Sequence, residues 1–146
     1  MAAGGTFVVD ASVVAEILLG GPGKLRARSF LLEAPAPDGF IAPRIVVAEV
    51  AAAITRAVRH GALKPQEARA AYATWMQMLD DRAIRIVPDD DLLRPAFDLS
   101  LSLHHPLHDC IYVALARSES AGIAMCDAVL ARKCRALGIA SETIAV

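Results

Sequence analysis

Apolar positions along the chain fall into two kinds of run. TFVV (6–9), GFIA (39–42), AIRIV (83–87), GIAMC (122–126) and the closing SETIAV are short and partly β-branched. Between them lie longer stretches rich in Ala and Leu with helical spacing, at 10–19, 24–34, 43–60, 65–81, 90–103, 108–120 and 127–137. Short buried strands alternating with helices predict an α/β fold: a three-layer α/β/α sandwich around a central parallel sheet of four to five strands.

The punctuation agrees with these cuts. GGPG (20–23) separates the first two helices, and Pro43 and Pro65 stand where a helix places its first residue. Gly61 and Gly138 follow basic residues, as helix C-termini prefer. The Pro35/Pro37 doublet reads as a loop. No repeat or linker divides the chain, so 1–146 is expected to be one domain.

Composition narrows the class. The chain is 55% hydrophobic but 5% aromatic, so its core must be built mainly from aliphatic residues. A net charge of -1 argues against a protein that coats nucleic acid, but leaves room for an enzyme with a small nucleic-acid site. Three cysteines without a CxxC suggest neither a disulfide framework nor a zinc ribbon, which fits a reducing, cytoplasmic setting. The start MAAGGTF lacks the basic and apolar regions of a signal peptide, and no uncharged apolar run reaches the ~18 residues of a membrane span.

The candidate chemistry is carboxylate chemistry. Asp10 follows the first strand at once, Asp127 follows GIAMC at once, and Asp109 opens the helix HDCIYVALA. Helix capping explains each of them alone equally well. In a parallel sheet, however, strand C-termini share one edge where ligands bind, so Asp10 and Asp127 should face one crevice. Converging carboxylates repel unless a cation neutralises them, and hard oxygen donors suit Mg2+ or Mn2+. Glu49 is the fourth candidate. It is the one charge in the run 45–55, on the border between an apolar face (Val46, Val50, Ile54) and a polar one (Arg56, His60). Helical spacing also permits a solvated glutamate there.

Other features read as ordinary structure. Asp89, Asp90 and Asp91 read as a helix N-cap, and Glu16 as a surface residue. His104, His105 and His108 with Cys110 invite a zinc reading, but Pro106 breaks the helical pairing of His104 with His108. A solvated loop is preferred. A haloacid-dehalogenase-type phosphatase would need a second Asp where Ser12 stands, and GGPGK lacks P-loop spacing.

Taken together, VVDASVVAEILL, APRIVVAEVAAAI, HDCIYVALA and IAMCDAVLARKCRALGI resemble the four motifs of PIN-domain ribonucleases, and specifically the VapC toxins of toxin–antitoxin pairs. The resemblance implies a Mg2+-dependent endoribonuclease, with Mn2+ able to substitute. Its acidic metal site would comprise Asp10, Glu49, Asp109 and Asp127, with Ser12 supporting them. It further implies an RNA substrate, a cognate antitoxin and a homodimer. Met125 departs from the family pattern, which has Thr or Ser two residues before the last aspartate. A housekeeping RNA-processing nuclease and a PIN-like binding module with a vestigial site are the alternatives. The helix at 65–81 spaces Ala68, Tyr72, Trp75 or Met76, and Leu79 for core packing or for an antitoxin groove.

Overall fold

The computed structural model describes residues 5–32 and 39–144. The Pro35/Pro37 loop, the first four residues and the last two lie outside them. Five strands form one parallel sheet: β1 (Phe7–Val9), β2 (Phe40–Pro43), β3 (Arg85–Val87), β4 (Gly122–Met125) and β5 (Ser141–Thr143). Their order is β3-β2-β1-β4-β5. The first strand in sequence is thus the middle strand, with Phe7 in register with both Phe40 and Gly122. Every residue of β1, β2 and β4 is buried, which is why these strands read as continuous apolar runs.

Seven helices surround the sheet among the described residues: α1 (Ala11–Leu19), α2 (Lys24–Leu32), α3 (Ile45–Arg59), α4 (Pro65–Asp80), α5 (Leu93–Leu103), α6 (Leu107–Ser118) and α7 (Ala128–Ala136). The chain steps one way from β1 through β2 to β3, then crosses to β4 and steps the other way to β5. Right-handed crossovers therefore place α1–α4 on one face and α5–α7 on the other. Helix α6 lies across β1, β2 and β4, and its residues from Cys110 to Ala116 are all buried. The direction reverses between β1 and β4, and such a reversal opens a crevice beyond the strand C-termini.

Few aromatics serve this core, and they sit at joints. Phe30 of α2 meets Phe7 edge-on at 5.3 Å and Phe40 at 5.4 Å, docking α2 on the sheet. Gly122 makes room for Phe7, since a Cβ there would stand 2.6 Å from the ring. Trp75 is fully buried, and its Nε1 donates to the Val47 carbonyl at 3.2 Å, tying α4 to α3.

Three local readings change. Pro43 ends β2, paired with Val87, and α3 begins two residues later at Ile45. A proline is tolerated there because the next amide, Arg44 N, continues the ladder to the Val87 carbonyl. Asp89 caps α3 rather than α5: its Oδ2 accepts from Ile45 N at 3.0 Å. Asp109 sits in the first turn of α6, with Pro106 at the cap position. Pro65 does begin α4, and Gly61 and Gly138 do adopt positive φ (76° and 78°). Among the described residues, no helix is long and apolar enough to cross a membrane.

Candidate active site

Asp10 leaves β1 with its amide bound to the Ala124 carbonyl of β4 (3.0 Å). Extended backbone at Asp10 turns there into α1, and its Oδ2 accepts from Ser12 N (3.1 Å) and Ser12 Oγ (2.5 Å). The cap is real, but it uses one carboxylate oxygen. Ser12 Oγ also accepts from Cys126 N (3.2 Å), so one hydroxyl stitches the ends of β1 and β4 together.

Asp10, Glu49 and Asp109 line a single crevice of about 680 Å³. Glu49 reaches it from α3 and accepts a hydrogen bond at Oε1 from the phenol of buried Tyr112 on α6 (2.5 Å). Ala52, Ala53 and Ala57 continue the α3 wall, followed outward by Arg56 and His60. His108, Glu16 and Cys126 complete the rim. Glu16 is not a plain surface residue: half-buried, it accepts from Gly23 N at 2.8 Å and braces the GGPG turn.

The electrostatics follow from this crowding. Burial pushes the Asp10 carboxyl up to about 6, the Ser12 hydrogen bonds oppose this, and the charges of Asp109 and Glu49 add to it. Although Asp10 keeps some exposed surface, its carboxylate is flanked by protein deeply enough for burial to dominate. Burial also pushes the Tyr112 phenol upward, helped by Asp10 and Glu49, so it stays a neutral donor. Burial raises the Cys126 thiol, keeping it neutral as well. Among the described residues, neither Asp10 nor Glu49 forms a salt bridge.

Asp127 stands apart from the other three. It does not line the crevice, its side chain is exposed, and Oδ1 caps α7 through Val129 N (2.9 Å) and Leu130 N (3.0 Å). Its link to Asp109 is His105, whose Nε2 lies 3.0 Å from Asp109 Oδ2 and 3.7 Å from Asp127 Oδ2. His105 was expected in a solvated loop, yet only 8% of its side chain is exposed. Met125 is fully buried at the end of β4, so no side-chain hydroxyl is offered from that position.

From the sequence, Tyr112 belongs to the α6 motif with no task of its own, and His105 to a solvated loop rather than to a place beside the carboxylates. Tyr112 was discernible, because three residues after Asp109 is the same helix face. His105 was not, because it precedes the helix and follows a left-handed residue, His104 (φ 51°).

Residues 7–136 match the protein family described as PIN domain. The fold is similar to the crystal structure of PAE2754 from Pyrobaculum aerophilum, at 14% identity with a TM-score of 0.69, covering 94% of this chain and 84% of that one. It is similar to FitAcB from Neisseria gonorrhoeae at 17% identity, TM-score 0.63, with 93% and 96% covered. A toxin–antitoxin complex from Klebsiella pneumoniae follows at 17% identity, TM-score 0.54, with 84% and 87% covered. No curated protein matches the sequence significantly.

Proposed function

The chain belongs to the PIN-domain family, and from that premise we propose that it is a divalent-metal-dependent endoribonuclease acting as the toxin of a toxin–antitoxin pair, of the VapC kind. PIN domains are generally nucleases. The observation that carries the reading further is the meeting of Asp10, Glu49 and Asp109 in one crevice, where burial, helped by the charges of the other two, pushes the Asp10 carboxyl up to about 6. An all-oxygen donor set of this kind suits Mg2+ or Mn2+ better than zinc.

Asp10, Glu49 and Asp109 would hold the cation, with Asp127 at the edge of the group. A bound divalent ion supplies charge neutralisation at a phosphoryl oxygen and acidifies water. The chain's own residues set the geometry. Ser12 aims Asp10 and Tyr112 aims Glu49. Ala52, Ala53 and Ala57 let an RNA backbone approach the acidic floor, while Arg56 and His60 meet the flanking phosphates.

The antitoxin reading draws support from the Klebsiella complex and from a second surface. Ile54, Val58, Pro65, Ala68 and Tyr72 line an apolar groove of about 580 Å³ between α3 and α4, with Arg59 and Arg69 beside it. An amphipathic segment would lie there. Helix α3 lines the crevice with Glu49, Ala53 and Arg56 and the groove with Ile54 and Val58, so a partner that reaches around α3 from the groove would bring a basic side chain to the carboxylates. Exposed Leu93, Phe97 and Leu101 form one stripe along α5 and support a homodimer.

Purified protein should cleave RNA with Mg2+ or Mn2+ and lose that activity in EDTA. Cleavage unchanged by EDTA would reject the metal mechanism.

A further inference from the structure

His105 has two ring nitrogens and both are engaged. Nε2 faces Asp109 Oδ2 at 3.0 Å, with Asp127 Oδ2 further off at 3.7 Å. Nδ1 lies 3.2 Å from Lys133 Nζ of α7, which also donates to the His104 carbonyl at 3.4 Å. An ammonium has only donors, so Nδ1 must accept and the ring hydrogen must sit on Nε2. The Nε2–H therefore points at Asp109.

This bears on whether His105 binds metal. Its Nε2 and single oxygens of Asp109 and Asp127 lie within 4.8 Å of one another, a spacing a metal ion could bridge. A metal-bound histidine, however, donates its remote N–H to a carboxylate or carbonyl, which fixes the ring. Here the remote nitrogen faces a lysine that can only donate.

Resting on the reading of Asp109 as a metal ligand, we propose that His105 is a positioning residue and not a ligand: Lys133 holds it in the Nε2–H form, and it clamps Asp109 Oδ2 so that Oδ1 serves the crevice. The device spans both sides of the switch point, because Lys133 and Asp127 arrive with α7 while Asp109 belongs to α6. It explains why the ring is buried although it precedes the helix. Asp127, with Oδ1 committed to the α7 cap, lies 3.7 Å from the same Nε2, too far for a hydrogen bond.

The test has two independent readouts. Nitrogen-15 NMR of histidine-labelled, metal-free protein should show His105 with hydrogen on Nε2 and an accepting Nδ1. Lys133→Met should erode that preference. A hydrogen on Nδ1 in the parent would overturn the proposal. Mn2+ affinity, by calorimetry, should then fall 10–100-fold in His105→Ala, the usual cost of removing a group that orients a ligand. His105→Gln, which keeps an N–H donor near the Nε2 position, should stay within about threefold of the parent. Equal losses in the Gln and Ala variants would mark His105 as a ligand and overturn the proposal. Should His105→Ala fail to fold by circular dichroism, the Gln variant and the parent tautomer decide. A parent that binds no Mn2+ would reject the metal reading on its own, and the tautomer would still judge the Lys133–His105–Asp109 relay.

Discussion

The phenol of Tyr112 donates to Glu49 Oε1 and so joins the helix beneath the sheet's centre to the helix that walls the crevice. Tyr112 is buried and stays protonated at ordinary pH, so Glu49 has one fixed donor. Tyr112→Phe keeps the packing and removes only that donor. It should cost about 1.5–3 kcal/mol in urea denaturation, the range for a hydrogen bond to a charged group. RNA cleavage should fall about 10–100-fold with Glu49 released, as for other groups that orient ligands. Parent-level cleavage in a folded Tyr112→Phe protein would show that Glu49 needs no such restraint.

Asp10 makes a prediction about pH. Its carboxyl titrates near 6 in the folded chain against 3.8 in the unfolded one. The folded chain therefore binds this proton more tightly, and its stabilising effect is complete below about pH 4 and lost as pH rises through 6. The loss is up to about 3 kcal/mol at 1.36 kcal/mol per pH unit. Asp10→Ser keeps a good helix cap. In EDTA, its melting temperature should therefore be less sensitive to pH across this window and should match or exceed that of the parent at pH 7. Mn2+ should raise the parent's melting temperature and leave the variant's unchanged, and cleavage by the variant should collapse. A variant that still cuts RNA at near-parent rates would reduce Asp10 to a cap.

Asp89 separates a cap from its neighbours. It alone of the acidic triplet bonds the first turn of α3, whose own cap position, Arg44, supplies no side-chain bond. Asp89→Ala should destabilise the chain by about 1–2 kcal/mol. Asp90→Ala and Asp91→Ala, at exposed positions, should change stability by less than about 0.5 kcal/mol. Equal effects at all three positions would contradict this assignment in chemical denaturation.

The groove between α3 and α4 is tested at Tyr72, which is nearly half exposed and remote from the carboxylates. Tyr72→Asp should weaken capture of a co-expressed antitoxin at least tenfold while the free protein cuts RNA at the parent rate. Undiminished capture would place the partner elsewhere.

Legibility followed the range of the interactions. Strands buried on both faces announce themselves as short apolar runs, so the sheet could be read from the sequence. The place of Asp10 at the end of a strand could be read, but a cap and a ligand look alike there, and Asp10 does cap α1. The partner of Asp89 could not be read: it depends on Pro43 lying in register with Val87, which sets Ile45 and Asp89 side by side beyond the strand ends. The same holds for His105, whose contact with Lys133 bridges 28 positions. Asp127 could be placed at a strand end, but not its orientation, because two α7 amides compete for its oxygen.

The central place of β1 has a consequence for biosynthesis. Strand β1 must wait for β4, and Ser12 for the Cys126 amide 114 residues later, before the crevice has both its sides. Contacts so distant in sequence form late and slowly. A growing chain on the ribosome therefore carries Asp10 and Glu49 long before it carries the wall that assembles them. If the chain is a nuclease, it cannot cut until β4 has emerged and paired, which leaves a co-synthesised partner time to reach it.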